Sequence, residues 1–383
     1  YWTIESSGFD AISESVNIDG STQTINVGDF NIDGPEIEVS IFTPGIPIFN
    51  LNGADNTTIK GFALNNSHSA IWIPSGVNIS HVWVLENYIA LDPRGIGFKY
   101  FENNASSTRP GCITYEGTAG VTISNFHLLN NIIGQPFCLR LDSTPESYVL
   151  ASEIKGNYFG LNRLGQAGTG FGSNPAPTFN NISQLEIGGS VIGEMNIFAG
   201  NATGENSTFL GIVSTDSISD LTISHNYFGL DPTGLLERSD NISFAILISA
   251  NQASNINIGP DNVISGLVCS NCSSSGINVA NNSGIDSNFS NFVVNGNTFG
   301  LVADGLTSST ISLGSGITLT GPLGGMEISE NFCAGGISAG CIFFDADASN
   351  TTILGNVFGL NTAFAPVSIS PGVNEDAGIS FTQ

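Results

Sequence analysis

The sequence predicts an all-β, single-domain parallel β-helix, or solenoid, of roughly ten coils with long loops between the coils. Three observations predict it: a short motif recurs nine times, its copies lie about 35 residues apart, and β-favouring runs bounded by turn residues fill the intervals. A repeat of this length is typical of a solenoid, because each unit can bury its apolar face only by stacking on its neighbours.

The motif begins with Asn, has Ile, Phe or Cys at its third position, and has Ala, Gly or Ser at its fourth. We interpret the third position as facing inward, so that each copy supplies one strand to a ladder with a spacing of about 4.8 Å. Two kinds of copy alternate, and the first kind continues with Leu and often a turn, as in Leu91-Asp-Pro-Arg-Gly. Other β-favouring runs, such as 243–248 and 276–280, predict about three strands per coil and very little helix.

The leading asparagines predict a structural ladder at a corner between two strands. Asn tolerates the left-handed conformation, and its amide can bond to the Asn of the coil above and below. The competing interpretation is a glycan or metal role, but none of the nine begins a glycosylation sequon and no carboxylate cluster accompanies them. The nine are Asn87, Asn131, Asn157, Asn196, Asn226, Asn262, Asn297, Asn331 and Asn356.

The whole chain, 1–383, is expected to be one β-helix, because no linker divides it. Residues 1–50 are the first coils or a cap region, and 366–383 are a terminal coil or an exchanged strand. The ranges 94–110 and 165–177 are expected to be long loops between coils. Neither end has an obvious polar helix to cover its strand edges. Either the chain is cut from a longer protein, or protomers meet end to end, with exchange of a terminal strand as one form of that contact.

Composition excludes several classes of partner. The chain has 8 Lys and Arg against 33 Asp and Glu, a formal net charge of -25, and therefore repels nucleic acid and anionic lipid. No apolar run approaches the roughly 18 residues of a membrane-spanning helix. Its 25 Phe residues and 40% hydrophobic content predict a chain that is folded throughout.

Cysteines and sequons favour an extracellular or cell-surface location with N-linked glycans. Cys112 and Cys138 are about one coil apart and could form a disulfide, Cys269 and Cys272 would close a loop, and Cys333 could pair with Cys341; buried free thiols are the alternative. The candidate glycosylation sites are Asn56, Asn65, Asn78, Asn104, Asn181, Asn201, Asn206, Asn241, Asn271, Asn281, Asn288 and Asn350.

Several blocks of the sequence resemble secreted and cell-surface right-handed parallel β-helix repeat proteins. They are Ile18-Asp-Gly-Ser-Thr-Gln, Ile187-Gly-Gly, Asn262-Val-Ile-Ser-Gly and Gly156-Asn-Tyr-Phe-Gly-Leu, which are similar to that family's Ile-Asp-Gly-Thr-Thr-Gln, Ile-Gly-Gly, Asn-Val-Ile-Ser-Gly-Asn and Gly-Asn-Tyr-Ile-Gly-Thr-Asp blocks. The likeness covers about residues 1–365. It implies fold and location rather than activity, since this fold also hosts polysaccharide-degrading enzymes.

The sequence offers no catalytic, cofactor-binding or metal-binding constellation that we would assign. Asp345 and Asp347 share one face of a predicted strand and are the best candidates for a glycosidase pair or a weak calcium site, but solvated surface carboxylates are the simpler explanation. We therefore expect no cofactor and no enzymatic activity. The predicted function is an extracellular structural or adhesive β-helix that self-associates end to end in a surface filament or fibril. The alternative is a carbohydrate-binding or polysaccharide-degrading β-helix whose partner is an extracellular polysaccharide.

Overall fold

The chain is a parallel β-helix with three long sheets, as described by a computed structural model. The structure describes residues 1–43, 45–65, 67–99, 112–135, 138–142, 147–168, 178–179, 181–201, 207–214, 216–240, 242–267, 274–281, 288–310, 313–321, 323–335, 337–345, 348–367 and 378–381. Each coil passes through sheet 2, then sheet 1, then sheet 3, and every long-sheet pairing among the described residues is parallel.

Sheet 1 has twelve short strands and follows the asparagine corner. Its first three rungs are longer than the rest, since the recurring motif supplies only two paired residues per strand. The strands are Trp2–Ser6, Ile37–Ile41, Phe62–Asn65, Tyr88–Ile89, Ile132–Ile133, Tyr158–Phe159, Ile197–Phe198, Tyr227–Phe228, Val263–Ile264, Thr298–Phe299, Phe332–Cys333 and Val357–Phe358.

Sheet 2 precedes the asparagine corner and has eleven strands. They are Asn17–Asp19, Thr57–Lys60, Ile79–Leu85, Thr122–Leu129, Tyr148–Lys155, Ile182–Gly188, Ser217–Ser224, Gln252–Ile258, Asn288–Asn295, Met326–Ser329 and Thr352–Leu354.

Sheet 3 closes each coil and also has eleven strands. They are Phe49–Asn50, Ile71–Ile73, Ile113–Glu116, Leu139–Asp142, Thr178–Phe179, Ser207–Val213, Ile242–Ala250, Ser275–Asn281, Leu313–Thr320, Ile337–Asp345 and Ile379–Phe381. The final described strand pairs with Ile337–Asp345 of the same chain.

Outside the long sheets, the described elements are few and short. Gly200–Asn201 pairs with Ser239–Asp240, and Leu323–Gly324 pairs with Ala348–Ser349. An α-helix, Thr22–Val27, and a 3-10 helix, Ile192–Glu194, complete the set. Helix is minimal because apolar residues alternate or stack along the chain and do not recur at a 3.6-residue period.

The core consists of columns of inward-facing side chains, one residue per rung. The third position of each sequence motif lies in the sheet 1 column and is buried in every copy from Ile89 to Cys333, because strands in register place equivalent residues above one another. The sheet 1 column is Ile4, Val39, Leu64, Ile89, Ile133, Phe159, Phe198, Phe228, Ile264, Phe299, Cys333 and Phe358. These columns merge with those of sheets 2 and 3 into one apolar cluster along the coil axis.

Candidate functional site

The nine motif asparagines stack into one continuous ladder at the corner between sheets 2 and 1. In the first eight, Nδ2 donates to Oδ1 of the Asn one rung further along the chain, at 2.9 to 3.1 Å. Each Nδ2 also donates to a backbone carbonyl of the preceding rung, for example from Asn196 to Ile154 at 2.7 Å. Eight of the nine are almost fully buried. The ladder therefore satisfies polar groups at a corner where the sheet hydrogen bonds are interrupted.

The left-handed residue at this corner is not the ladder asparagine. In eight of the nine repeats it is the residue immediately before it, as in Glu86, Asn130, Gly156 and His225. Our assignment of the left-handed conformation to the leading Asn is therefore wrong by one position. The physical reason is that the ladder side chain must point inward from extended backbone, so the preceding residue makes the sharp change of direction.

The cysteines that the structure describes form two disulfides, Cys112 with Cys138 and Cys333 with Cys341. The first closes a loop of about one coil, with a sequence separation of 26. All four residues are buried. Cys269 and Cys272 lie outside the described residues.

Two of the candidate glycosylation sites are incompatible with the fold. Asn65 is fully buried, with Nδ2 donating to Oε1 of Glu38 at 2.8 Å, and Asn181 is 2% exposed. A glycan needs an exposed amide, so the sequon pattern is wrong at these two positions. Asn56, Asn78 and Asn350 are exposed, and Asn201 and Asn281 are half-buried. Asn104, Asn206, Asn241 and Asn271 lie outside the described residues, as does the side chain of Asn288.

The predicted carboxylate pair is not assembled within the described chain. Asp345 is exposed at the end of its sheet 3 strand, and Asp347 lies outside the described residues. In the part of the chain that the structure describes, no group of three or more His, Cys, Asp or Glu side chains is placed to hold a metal ion. The same residues include no helix that is long and apolar enough to cross a membrane.

A stack of turns lies along the outside of sheet 1. The sequence predicts turns after the first-kind motifs, but it did not indicate that these turns contact one another. The turn stack comprises 92–95, 162–165, 231–234, 302–305 and 361–364, each after the Leu of a first-kind motif. Ala303 N donates to Gly234 O and Thr362 N donates to Gly305 O, both at 2.9 Å. Gly234 has φ +72 and a Cβ there would collide with Ala303 and Tyr227, so this close approach requires glycine.

One link of the turn stack is made by a side chain. Pro232 occupies the position from which Arg163, Ala303 and Thr362 donate a backbone N–H in their turns, and proline has none. The Nε of Arg238 donates instead to Gly165 O at 3.2 Å. Arg238, one of the 8 Lys and Arg residues of the chain, therefore has a structural role as a hydrogen-bond donor.

A row of charged and aromatic side chains crosses the outer face of sheet 2. Trp83 stacks on His127, with ring centroids 5.2 Å apart and an interplanar angle of 4°. His127 Nδ1 lies 2.7 Å from Glu153 Oε1, and Lys155 Nζ bridges Glu153 at 3.2 Å and Glu186 at 2.8 Å. Because His127 covers one face of the indole and the charges satisfy one another, this row is a cross-rung network rather than an open sugar platform.

The network shifts two pKa values. Burial opposes ionisation of Glu153, but hydrogen bonds from His127 and Lys155 outweigh it and lower the pKa of the Glu153 carboxyl. Burial also opposes charge on Lys155, but its bonds to Glu186 and Glu153 overcome this and raise the pKa of the Lys155 ammonium. Both charged forms are therefore favoured by folding.

Acid should weaken the fold through this network. Since the pKa of Glu153 is lower in the folded chain, its contribution is present above the unfolded pKa and is lost as pH falls through the folded pKa. We expect Glu153→Gln to reduce the fall in melting temperature between about pH 5 and about pH 3. Glu327→Gln removes an exposed carboxylate of the same row and serves as the control. An equal fall in melting temperature over this pH range for Glu153→Gln and the unmodified protein would contradict the prediction.

A groove lies between the asparagine corner and the turn stack, with a volume of about 350 Å³. We call it the side groove. Its walls include Met195, Tyr227, Val263 and Val302, which are apolar, and its polar lining includes His225, Asp261, Asp304 and Thr362. His225 Nε2 lies 3.1 Å from Asp261 Oδ2. Sequence reasoning missed this groove, because its walls come from six separate segments that only the coiling brings together.

The two ends of the described β-helix expose apolar surface. Of the sixteen large apolar side chains that are exposed in the described chain, eight lie in residues 1–42 and three in 354–381. Ile4 belongs to the inward column of sheet 1, yet it is 43% exposed because no rung covers it. At the other end, Ile379 faces inward below Ile342 and is 38% exposed. The end rungs therefore present the cross-section of the core.

Comparison with known proteins does not assign the chain to a family. No protein-family model matches the chain, and no curated protein matches it. Among solved structures, the chain is similar to the A-module of mannuronan C-5 epimerase AlgE4 from Azotobacter vinelandii, with 11% identity, a TM-score of 0.31, and 96% of this chain and 89% of that chain covered. The A-module of epimerase AlgE6 from the same organism gives 12% identity and a TM-score of 0.24 with the same coverage. Likenesses this weak support no statement about activity.

Proposed function

We propose that this chain is a non-enzymatic structural protein of a cell surface or the extracellular space, and that copies assemble end to end into a filament or fibril. The observation that carries this proposal is the open core cross-section at both ends. Ile4 on the first rung is 43% exposed, whereas the residues of the same column from Val39 to Cys333 are buried, and Trp2 on the first rung is 57% exposed. A further rung stacked on either end would bury this surface.

Backbone geometry also supports a second copy of this chain as the partner that stacks on either end. Among the described residues, the first strands of sheets 1 and 2 and the last strands of sheets 1 and 2 each pair with a strand on one side. Because all pairings are parallel, the last rung of one copy and the first rung of another continue the ladders in the same direction. The contact is heterologous, so it propagates instead of closing into a dimer.

Charge does not drive this assembly. The first rungs carry Glu5, Asp10 and Glu14, the last rungs carry Glu330, and no Lys or Arg follows Arg238. Like-charged ends repel, and salt screens that repulsion over about 10 Å at 0.1 M. Burial of apolar surface must therefore outweigh it, and assembly should strengthen as ionic strength rises.

A substitution at the open end tests the proposal. We expect the unmodified protein to form concentration-dependent multimers in sedimentation velocity, and Ile4→Lys to sediment as a monomer, because placing an ammonium in the apolar centre of the junction carries a large desolvation cost. Leu235→Lys is the matched control, since Leu235 is 52% exposed but lies on the turn stack away from the ends. Thermal melting of each variant checks that the fold persists.

Two results would overturn the proposal. One is a monomer at every concentration and salt level for the unmodified protein. The other is equal loss of multimers in Ile4→Lys and Leu235→Lys, which would place the contact on the side of the β-helix. Electron microscopy of the multimers supplies the second readout, since end-to-end assembly predicts unbranched filaments one β-helix wide.

A further inference from the structure

The side groove combines an apolar floor with a polar rim. Tyr227, Val263 and Thr298 are consecutive outward residues of sheet 1, and Met195 and Val302 close the groove on either side. Its volume of about 350 Å³ lies within the roughly 300 to 1,000 Å³ typical of sites for small ligands. Val263 and Val302 are 9% and 4% exposed, whereas Tyr227 is half-buried, so Tyr227 rather than the valines offers apolar surface to a ligand. A ligand that fits must therefore have an apolar face to lie on Tyr227 and polar groups along its edges.

The polar rim offers acceptors from two directions. Asp261 stands at the asparagine corner, where its Oδ2 meets His225 Nε2, so the imidazole orients the carboxylate. Asp304 stands on the turn stack, where Leu306 N and Thr307 N donate to its Oδ1 at 2.7 and 2.8 Å. These bonds hold both carboxylates in place, and their remaining lone pairs can accept hydroxyl protons from a bound molecule.

Charge restricts the ligand further. Among the described residues, no Lys or Arg lines the side groove, whereas Asp261 and Asp304 do. An acidic sugar, a sulfate ester or a phosphate would meet two carboxylates without a cationic partner. A neutral pyranose has an apolar C–H face and hydroxyl groups around its edge, which match the floor and the rim.

We propose that the side groove binds a short neutral oligosaccharide, with one ring on Tyr227 and hydroxyl groups donating to Asp261 and Asp304. This makes the side of the β-helix a glycan-binding surface, and it does not depend on end-to-end assembly. Binding is reversible and involves no covalent step. The turn stack matters here because Ala303 and Gly305, whose positions it sets, form one wall of the groove.

The test uses isothermal titration calorimetry with four neutral trisaccharides (of glucose in α- and β-linkage, mannose and galactose) and with trigalacturonate. We expect at least one neutral trisaccharide to bind with a dissociation constant below about 10 mM, and trigalacturonate to bind at least about tenfold more weakly. Ser190→Trp should abolish binding by filling the groove, since Ser190 lines it and is exposed. Val191→Trp is the matched control, because Val191 is 56% exposed and does not line the groove.

A second pair of variants tests the rim. Asp304→Asn keeps an oxygen to cap its turn but removes a charged acceptor, and Asp261→Asn does the same at the corner; each should weaken binding about tenfold. The proposal is overturned if no neutral trisaccharide binds, if trigalacturonate binds more tightly, or if Ser190→Trp binds as well as Val191→Trp. Sedimentation velocity on the same samples reports end-to-end assembly separately, so failure of either proposal is recognised on its own.

Discussion

Phe198→Ala is expected to lower the free energy of unfolding by about 3 to 5 kcal/mol. Phe198 is 1% exposed in the sheet 1 column, and its ring lies 4.8 Å from that of Phe159 and 4.9 Å from that of Phe228, at interplanar angles of 2° and 6°. Removing the ring leaves a cavity between two rungs whose backbones are held by ladders on both sides. The rungs cannot collapse into that cavity, so the loss should fall at the upper end of the range.

Urea titration followed by circular dichroism measures this change. Phe30→Ala is the control, because Phe30 is 68% exposed, and it should change the unfolding free energy by less than about 0.5 kcal/mol. Phe198→Leu keeps much of the volume and should cost less than Phe198→Ala. A loss below about 1 kcal/mol for Phe198→Ala would mean that the stacked column is not a main source of stability.

Asn196→Ala is expected to cost about 3 to 4 kcal/mol, which is large for the removal of one polar side chain. Oδ1 of Asn196 accepts from the backbone N and from Nδ2 of Asn157, both at 3.0 Å, and its Nδ2 donates to Ile154 O and to Asn226 Oδ1. Asn196 is fully buried. The substitution therefore leaves buried donors and acceptors on both neighbouring rungs without partners.

Two controls separate this effect from the general cost of removing an amide. Asn257→Ala removes one bond, from Nδ2 to Gly259 O at 3.2 Å, on the half-buried outer face of sheet 2, and should cost at most about 1 kcal/mol. Asn356→Ala removes the last member of the ladder, which has a neighbour on one side within the chain, and should fall in between. If all three losses were equal, the ladder would have no cooperative role.

The sequence predicted the fold because a solenoid uses the same local chemistry in every coil. The recurring Asn, the apolar third position and the small fourth position each repeat because each rung meets the same surroundings. For the same reason, Cys112 and Cys138 could be placed on neighbouring rungs from their spacing alone, and the structure joins them. The apolar column from Ile89 to Cys333 follows directly from the third position.

The sequence failed where the answer depended on exposure. Asn65 and Asn181 match the glycosylation pattern as well as Asn56 does, but neighbouring rungs cover them. The sequence predicted the left-handed conformation at the ladder Asn, whereas the structure has it one position earlier. The turn propensity of Asn does not specify which of two adjacent residues adopts that conformation. A sequon records a pattern of residue types, and burial is a property of the whole coil.

The sequence by itself determined the repeat, the rung, the inward columns and the asparagine corner, because these features depend on contacts between equivalent residues one coil apart. Only the tertiary structure decided which surfaces remain open. The side groove joins the corner residues His225 and Asp261 to turn residues of later coils, and the exposure of Ile4 and Ile379 depends on how the described coils stack. Such contacts join non-equivalent positions, so no periodic pattern in the sequence records them.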